Sequence, residues 1–372
     1  MPSLEQKIET PRLPDTILEL TSVRFFAAMF VVLFHVHDDT PLLINLPTQF
    51  FLKGYLGVDI FFILSGFILT HVYLAQWKAG KFRYGSFMLN RFARVYPLHL
   101  VMTLAFVALY TLSARFGFLG EADGMDWSAL PFHLLAVHGW GFVGHHAWNF
   151  PSWSISSEFF AYLIFPLFLM STRIGAKTGL ALASVALAAA FYTSGAFFRP
   201  FTALTFDFGI VRIFFEFGLG VFVYLMCARI ALGATTVRWL LLTAVLVFVA
   251  ICHVSRSNSD DIALIFLAGG VIFLLGQLSR SPGPSIMRAR PLVYLGEISY
   301  STYMIHYMAE LIYVKGVSRL LGTPGQLPFG AWLGLLVVIL LGSMMSFHLV
   351  EVPARNFIRR MMHERKPREW RV

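Results

Sequence analysis

Charge and cysteine are both scarce in this 372-residue chain. Asp, Glu, Lys and Arg make up 13% of the residues, about half the roughly 25% of an ordinary soluble domain. Hydrophobic residues make up 57%, the mean hydropathy is +0.70 and Phe occurs 38 times. So little charge cannot cover a water-soluble surface of this size, which excludes an aqueous domain of any extent and leaves a polytopic membrane protein. The only cysteines, Cys227 and Cys252, lie in separate apolar runs predicted to end near opposite membrane faces. That placement argues against a disulfide and a metal cluster. A small-residue cleavage site is also missing after the first apolar run, which ends in His35-Val-His37-Asp38-Asp39, so it reads as a retained span. The formal net charge of +9 does not imply nucleic acid, because basic residues flanking apolar spans are a general property of membrane proteins.

Ten apolar stretches are each close to the roughly 20 residues a bilayer requires, predicting an all-α bundle of about ten transmembrane helices. They fall at about 21–38, at about 54–75, from the basic stretch that ends at Arg94 to about 114, and at about 152–171, 179–198, 207–228, 237–253, 261–278, 294–314 and 331–350. Residues 1–20 read as a polar tail, 21–350 as the transmembrane domain and 351–372 as a basic tail. With both tails and the even-numbered connections on one side, 22 Lys and Arg residues fall there against 6 opposite. The positive-inside rule then predicts cytoplasmic termini.

The first span holds two polar groups that a bilayer does not favour, Arg24 and His35. Eleven helical steps of about 100° return to within roughly 20° of the start, so both lie on one face, about 16 Å apart along the axis. The predicted topology sets Arg24 near the cytoplasm and His35 in the outer half, with Asp59 and Glu158 at His35's depth. Convergence of the three would let a carboxylate orient the imidazole and stabilise its protonated form. Each carboxylate equally suits the positive end of its own helix, and His35 an interfacial position. Arg91 and Arg94 sit one turn apart on one face, where they fit either a phosphate clamp or positive-inside anchoring, with Pro97 predicted to reshape the helix just above. Trp153 and His306 are acceptor-side candidates, each with a structural role as the alternative. The loop histidines His133, His138, His145 and His146 match no firm ligand spacing, and no metal is predicted.

These residues give the chain a resemblance to the acyltransferase-3 family of integral membrane acyltransferases of bacterial surface polysaccharides. The resemblance runs from Leu20 to Pro353. Its most specific parts are Arg24 with ten residues before His35, Gly57-Val-Asp59-Ile-Phe-Phe-Ile-Leu-Ser65-Gly66, Arg91-Phe-Ala-Arg94, Trp153-Ser-Ile-Ser-Ser-Glu158, Ile298-Ser-Tyr-Ser-Thr-Tyr-Met-Ile-His306 and Val350-Glu351-Val-Pro353. It is similar to the stand-alone type, without a C-terminal esterase-like domain. The resemblance implies that His35 is catalytic and that Arg24, Arg91 and Arg94 serve an acyl-CoA donor, acetyl-CoA foremost, in the cytoplasm. A glycan or lipid-linked sugar would be the acceptor, and the bacterial inner membrane the location. His35 would act as a base, with Asp59 or Glu158 orienting it, or would carry the acyl group itself. A secondary transporter with a polar path through Asp59, Glu158, His306 and Arg212 is the alternative from another class.

Overall fold

A computed structural model describes residues 12–117, 124–173, 200–323 and 325–364, and among these there is no strand. The principal helices are α1 (Leu18–Val36), α2 (Leu56–Lys78), α3 (Tyr84–Phe116), α4 (Trp153–Leu163), α5 (Phe165–Ser171), α6 (Gly209–Arg229), α7 (Ala234–Val254), α8 (Asp261–Leu278), α9 (Arg290–Glu297), α10 (Ser299–Leu321), α11 (Phe329–Ser346) and α12 (Val352–Glu364). Seven described helical stretches are long and apolar enough to cross a membrane, or eight when the bent pair α4 and α5 is taken as one span. The protein is an all-α, multi-pass membrane protein.

Three expected spans look different in the structure. The span expected at 152–171 is broken, because α4 and α5 meet at 56° just before Pro166, which has no N–H to continue the ladder. The span expected at 294–314 is divided at Ile298 between α9 and α10. Although α10 is long, it is not among the stretches apolar enough to cross, since it buries Ser299, Ser301, Thr302 and His306 towards its neighbours. The span expected at 179–198 lies outside the described residues. Pro97, expected to reshape the start of its helix, lies within the unbroken α3.

The seam that positions the site lies between α2 and α6. A Cβ on Gly66 would sit 2.0 Å from the Phe217 carbonyl oxygen, and one on Gly220 2.0 Å from the Ile63 oxygen, so only glycine admits this approach. The close seam brings Asp59 of α2 to Arg212 of α6. Gly220→Val is therefore expected to force the helices apart and lower the melting temperature in detergent by several degrees, on the order of an overpacked core. An unchanged melting curve would refute this account of the seam.

Helix α1 is pinned at its start. Buried Glu19 accepts a hydrogen bond from Arg288 Nε at 2.5 Å, and Ser22 Oγ donates to the Met287 carbonyl at 2.6 Å. These contacts fix the rotation of α1, and hence where Arg24 and His35 point. Helices α7 and α11 lie at the periphery, with Leu246, Val249, Val337 and Leu341 exposed, as suits a surface facing lipid.

Candidate active site

Two cavities occupy the bundle interior, one towards each end of α1. The one nearer the start of α1 has about 850 Å³ of empty space, the open solvent at its mouth included. Arg24 of α1, Arg91 and Arg94 of α3, Ser65 of α2 and Glu158 of α4 line it. Ser65 Oγ donates to Glu158 Oε1 at 2.5 Å. Arg94 is paired with buried Glu351, whose other oxygen accepts from Ser301 Oγ at 3.0 Å. Arg24 and Arg91 have no carboxylate partner within ion-pair distance among the described residues, and the Arg91 Nε is buried without a hydrogen bond. The two unpaired guanidiniums make this cavity an anion site in waiting.

The second cavity, about 730 Å³ with the open solvent at its mouth included, is lined by His35, Trp153, Arg212 and Tyr303 among others. The His35 ring is held by aromatic packing alone, with ring centroids 5.9 Å from Phe150, 5.9 Å from Tyr307 and 5.0 Å from His306. Among the described residues neither of its nitrogens has a hydrogen-bond partner, which leaves both available to a ligand. His306 is wholly buried and its Nδ1 lies 2.6 Å from the Tyr303 carbonyl oxygen. A carbonyl can only accept, so Nδ1 carries the proton and the neutral ring keeps its lone pair on Nε2, which is buried without a partner. A bare lone pair thus lies beside the His35 ring.

Val58 and Tyr303 line both cavities and mark where they meet. Tyr303 is fixed there, because its hydroxyl donates to the Pro151 carbonyl at 2.7 Å and lies 2.7 Å from Ser154 Oγ. From Arg24 to His35 the climb along α1 is about 16 Å.

Of the residues singled out from sequence, the fold gathers Arg24, Arg91 and Arg94 into one cavity, and His35, His306 and Trp153 into or beside the other. It does not bring Asp59 and Glu158 to the imidazole. Arg212 binds both oxygens of Asp59, Nε to Oδ1 at 3.0 Å and Nη2 to Oδ2 at 2.5 Å. Arg212 also donates to the Thr202 carbonyl at 2.6 Å, and its guanidinium lies 5.3 Å from the Trp153 ring centroid. Asp59 therefore orients Arg212 and, through it, the wall formed by Trp153. Glu158 faces Arg24 instead because the segment before α4 dives into the fold. Trp148, Asn149, Pro151 and Ser152 are all buried, so α4 starts well below the surface and its sixth residue reaches the deeper cavity.

Tyr303, Ser65 and the partner role of Glu351 escaped the sequence reading, although Tyr303 lies one turn before His306 within a motif already noted. A buried stack also went unseen. His133 and His138 have ring centroids 3.8 Å apart, and His99 stacks on His138 at 5.7 Å. Burial pushes the His133 imidazole down to about 3 and holds His138 well below its ordinary value, so these two are neutral at pH 7 and pack as flat rings. With His138 Nε2 3.0 Å from Ser152 Oγ, the stack braces the segment that carries Trp153. Of the remaining loop histidines, His145 pairs with Asp126 at 2.9 Å and His146 packs on Phe150.

A family model described as an acyltransferase domain matches residues 17–348. The chain is 34% identical over 180 residues, 44% of its length, to Acyltransferase MdmB of Streptomyces mycarofaciens, covering 40% of that protein. It is 40% identical over 101 residues, 26% of its length, to Protein 2 in picA locus of Rhizobium radiobacter, covering 47% of it. Over 128 residues, 32% of its length, it is 34% identical to Peptidoglycan O-acetyltransferase OatA of Listeria monocytogenes, covering 20%. The matches thus span less than half of each of these relatives. No solved structure matches the chain.

Proposed function

The chain belongs to the acyltransferase-domain family, and on that premise we propose that it is a membrane O-acyltransferase moving an acyl group, acetyl foremost, from cytoplasmic acyl-CoA to a hydroxyl of an exported glycan. One observation carries the reading. Two cavities meet at Val58 and Tyr303, one bearing the unpaired cations Arg24 and Arg91, the other the unpartnered imidazole of His35. An acyl-CoA whose phosphates rest on the arginines extends its narrow pantetheine arm along α1 and delivers the thioester to the junction. The Lys and Arg bias supports a cytoplasmic position for the arginine cavity, in a bacterial inner membrane. The acceptor enters from the other side, against Trp153.

His35 takes the proton of the acceptor hydroxyl as that oxygen attacks the thioester carbonyl. The C–S bond then breaks, the ester forms, and the coenzyme A thiolate recovers the proton from the imidazolium. In place of the carboxylate expected from sequence, the Nε2 lone pair of His306 stabilises the charged ring. The similarity to a peptidoglycan O-acetyltransferase supports an acetyl donor.

Two measurements test this function. Surface glycans from cells with and without the protein should differ by a defined acyl mass, and identical glycan spectra would contradict the proposal. In vesicles, Arg24→Gln with Arg91→Gln should raise the Kd for acyl-CoA by about 100-fold, since a charge-assisted phosphate contact contributes about 1.5–3 kcal/mol. Acceptor affinity should change little, and an unaltered donor Kd would remove the phosphate role of the pair.

A further inference from the structure

The basic lining does not stop at the inner cavity. After α11 a wider helical turn, Phe347–Glu351, leads without a break into α12, which packs along α3 beside Arg91 and Arg94. Glu351 pairs with Arg94 at the cavity wall and lies 3.7 Å from Arg355 Nη1, one helical turn on. The Arg355 Nε is buried without a hydrogen bond. Arg359 follows one turn later, exposed and close enough to Arg91 and Arg355 to feel both charges. No described carboxylate lies within ion-pair distance of Arg359.

The helix is divided into two faces. Arg355 and Arg359 are about 40° apart around it, whereas Phe357 lies about 200° from Arg355 and Met361 follows Phe357 by about 40°. Phe357 is 64% exposed and Met361 42%, an apolar pair suited to the acyl boundary of a bilayer, which directs the arginine pair back to the bundle. Five arginines, Arg24, Arg91, Arg94, Arg355 and Arg359, thus form a continuous run from the cavity to the surface, with Glu158, Glu297 and Glu351 as the acidic groups among them. Five guanidiniums against three carboxylates leave an excess of positive charge along this run, which a polyanion would offset.

We infer that α12 is the outer wall of the donor site, its Arg355 and Arg359 binding a phosphate of the donor remote from the reacting thioester. The inference rests on the acyl-CoA reading above and adds a subsite to it. Coenzyme A carries its phosphates in two groups, the pyrophosphate next to the pantetheine arm and the 3′-phosphate on the ribose. With the pyrophosphate on Arg24 and Arg91, the ribose 3′-phosphate falls to the surface end of the run. A lipid headgroup phosphate offers the same chemistry at the same depth, so the test separates the two.

The full chain in nanodiscs of phosphatidylcholine is titrated with acetyl-CoA and with 3′-dephospho-acetyl-CoA, then again in discs containing phosphatidylglycerol. Wild type should bind acetyl-CoA about 10-fold more tightly than the dephospho form in the neutral discs. Arg359→Gln, at an exposed position that does not threaten folding, should abolish that preference, and Arg355→Gln should do the same, leaving dephospho affinity nearly unchanged. A preference that survives in both variants overturns the inference. Equal wild-type affinity for the two donors, with Arg359→Gln weakening only the retention of phosphatidylglycerol, also overturns it and gives the arginines to lipid. If wild type binds neither donor, it is the acyl-CoA reading itself that fails.

Discussion

His35→Ala is expected to lower acyl transfer by about 10²- to 10⁴-fold, the usual contribution of a positioned general base, without altering insertion or melting. The ring makes no hydrogen bond that its removal would leave broken. It is packed by Phe150, Tyr307 and His306, and one side opens to a cavity, so truncation enlarges a space already present. Donor binding should also survive, because the arginine cavity lies about 16 Å away along α1. The check is the initial rate in vesicles supplied with acyl-CoA and acceptor, with the amount of folded protein measured in parallel. Full activity in a stable His35→Ala protein would end the proposed mechanism. His306→Ala should cost less, since it removes only the neighbouring lone pair and leaves the base.

Asp59→Ala should have the opposite signature, a large loss of stability. Asp59 and Arg212 are each 1% exposed and joined through two hydrogen bonds. Removing the carboxylate strands a guanidinium inside the bundle, which costs about 3–5 kcal/mol, whereas removing both charges together is often nearly neutral. Glu216, 3.6 Å from the Arg212 Nε and without a hydrogen bond of its own, offsets part of the loss. Thermal unfolding in detergent should therefore show Asp59→Ala far below wild type and the variant combining Asp59→Ala with Arg212→Leu and Glu216→Gln recovering much of the difference. If Asp59→Ala melts like wild type but has lost its turnover, Asp59 acts on the chemistry as the sequence suggested, and the positioning role assigned to it here is wrong.

These two residues illustrate what a sequence can and cannot locate. His35 drew attention because an imidazole at membrane depth, on one helical face with an arginine, is costly unless it serves a site or lies at the interface. Asp59 drew attention for the same reason, yet its neighbour in space, Arg212, is 153 positions away. Nothing in the periodicity of α2 tells which helix it meets. The glycines that decide it, Gly66 and Gly220, become interpretable only when each is seen against the other helix's backbone. Glu158 was misplaced for a related reason, since depth counted from the start of an apolar run assumes that the run starts at the membrane surface, and the buried segment before α4 does not.

By itself the sequence determined the class of protein, a helical membrane bundle, because bilayer thickness and the need to satisfy every backbone polar group leave few alternatives for long apolar runs. Its spaced motifs also determined the acyltransferase family. Only the tertiary structure decided which polar groups are spent on one another and which remain free. Arg94 is neutralised by Glu351 and Asp59 by Arg212, while among the described residues Arg24, Arg91 and His35 keep no partner. A charge in a low-dielectric interior is either paired or kept for a ligand, and that distinction depends on neighbours a few ångströms away in space, which chain order does not encode.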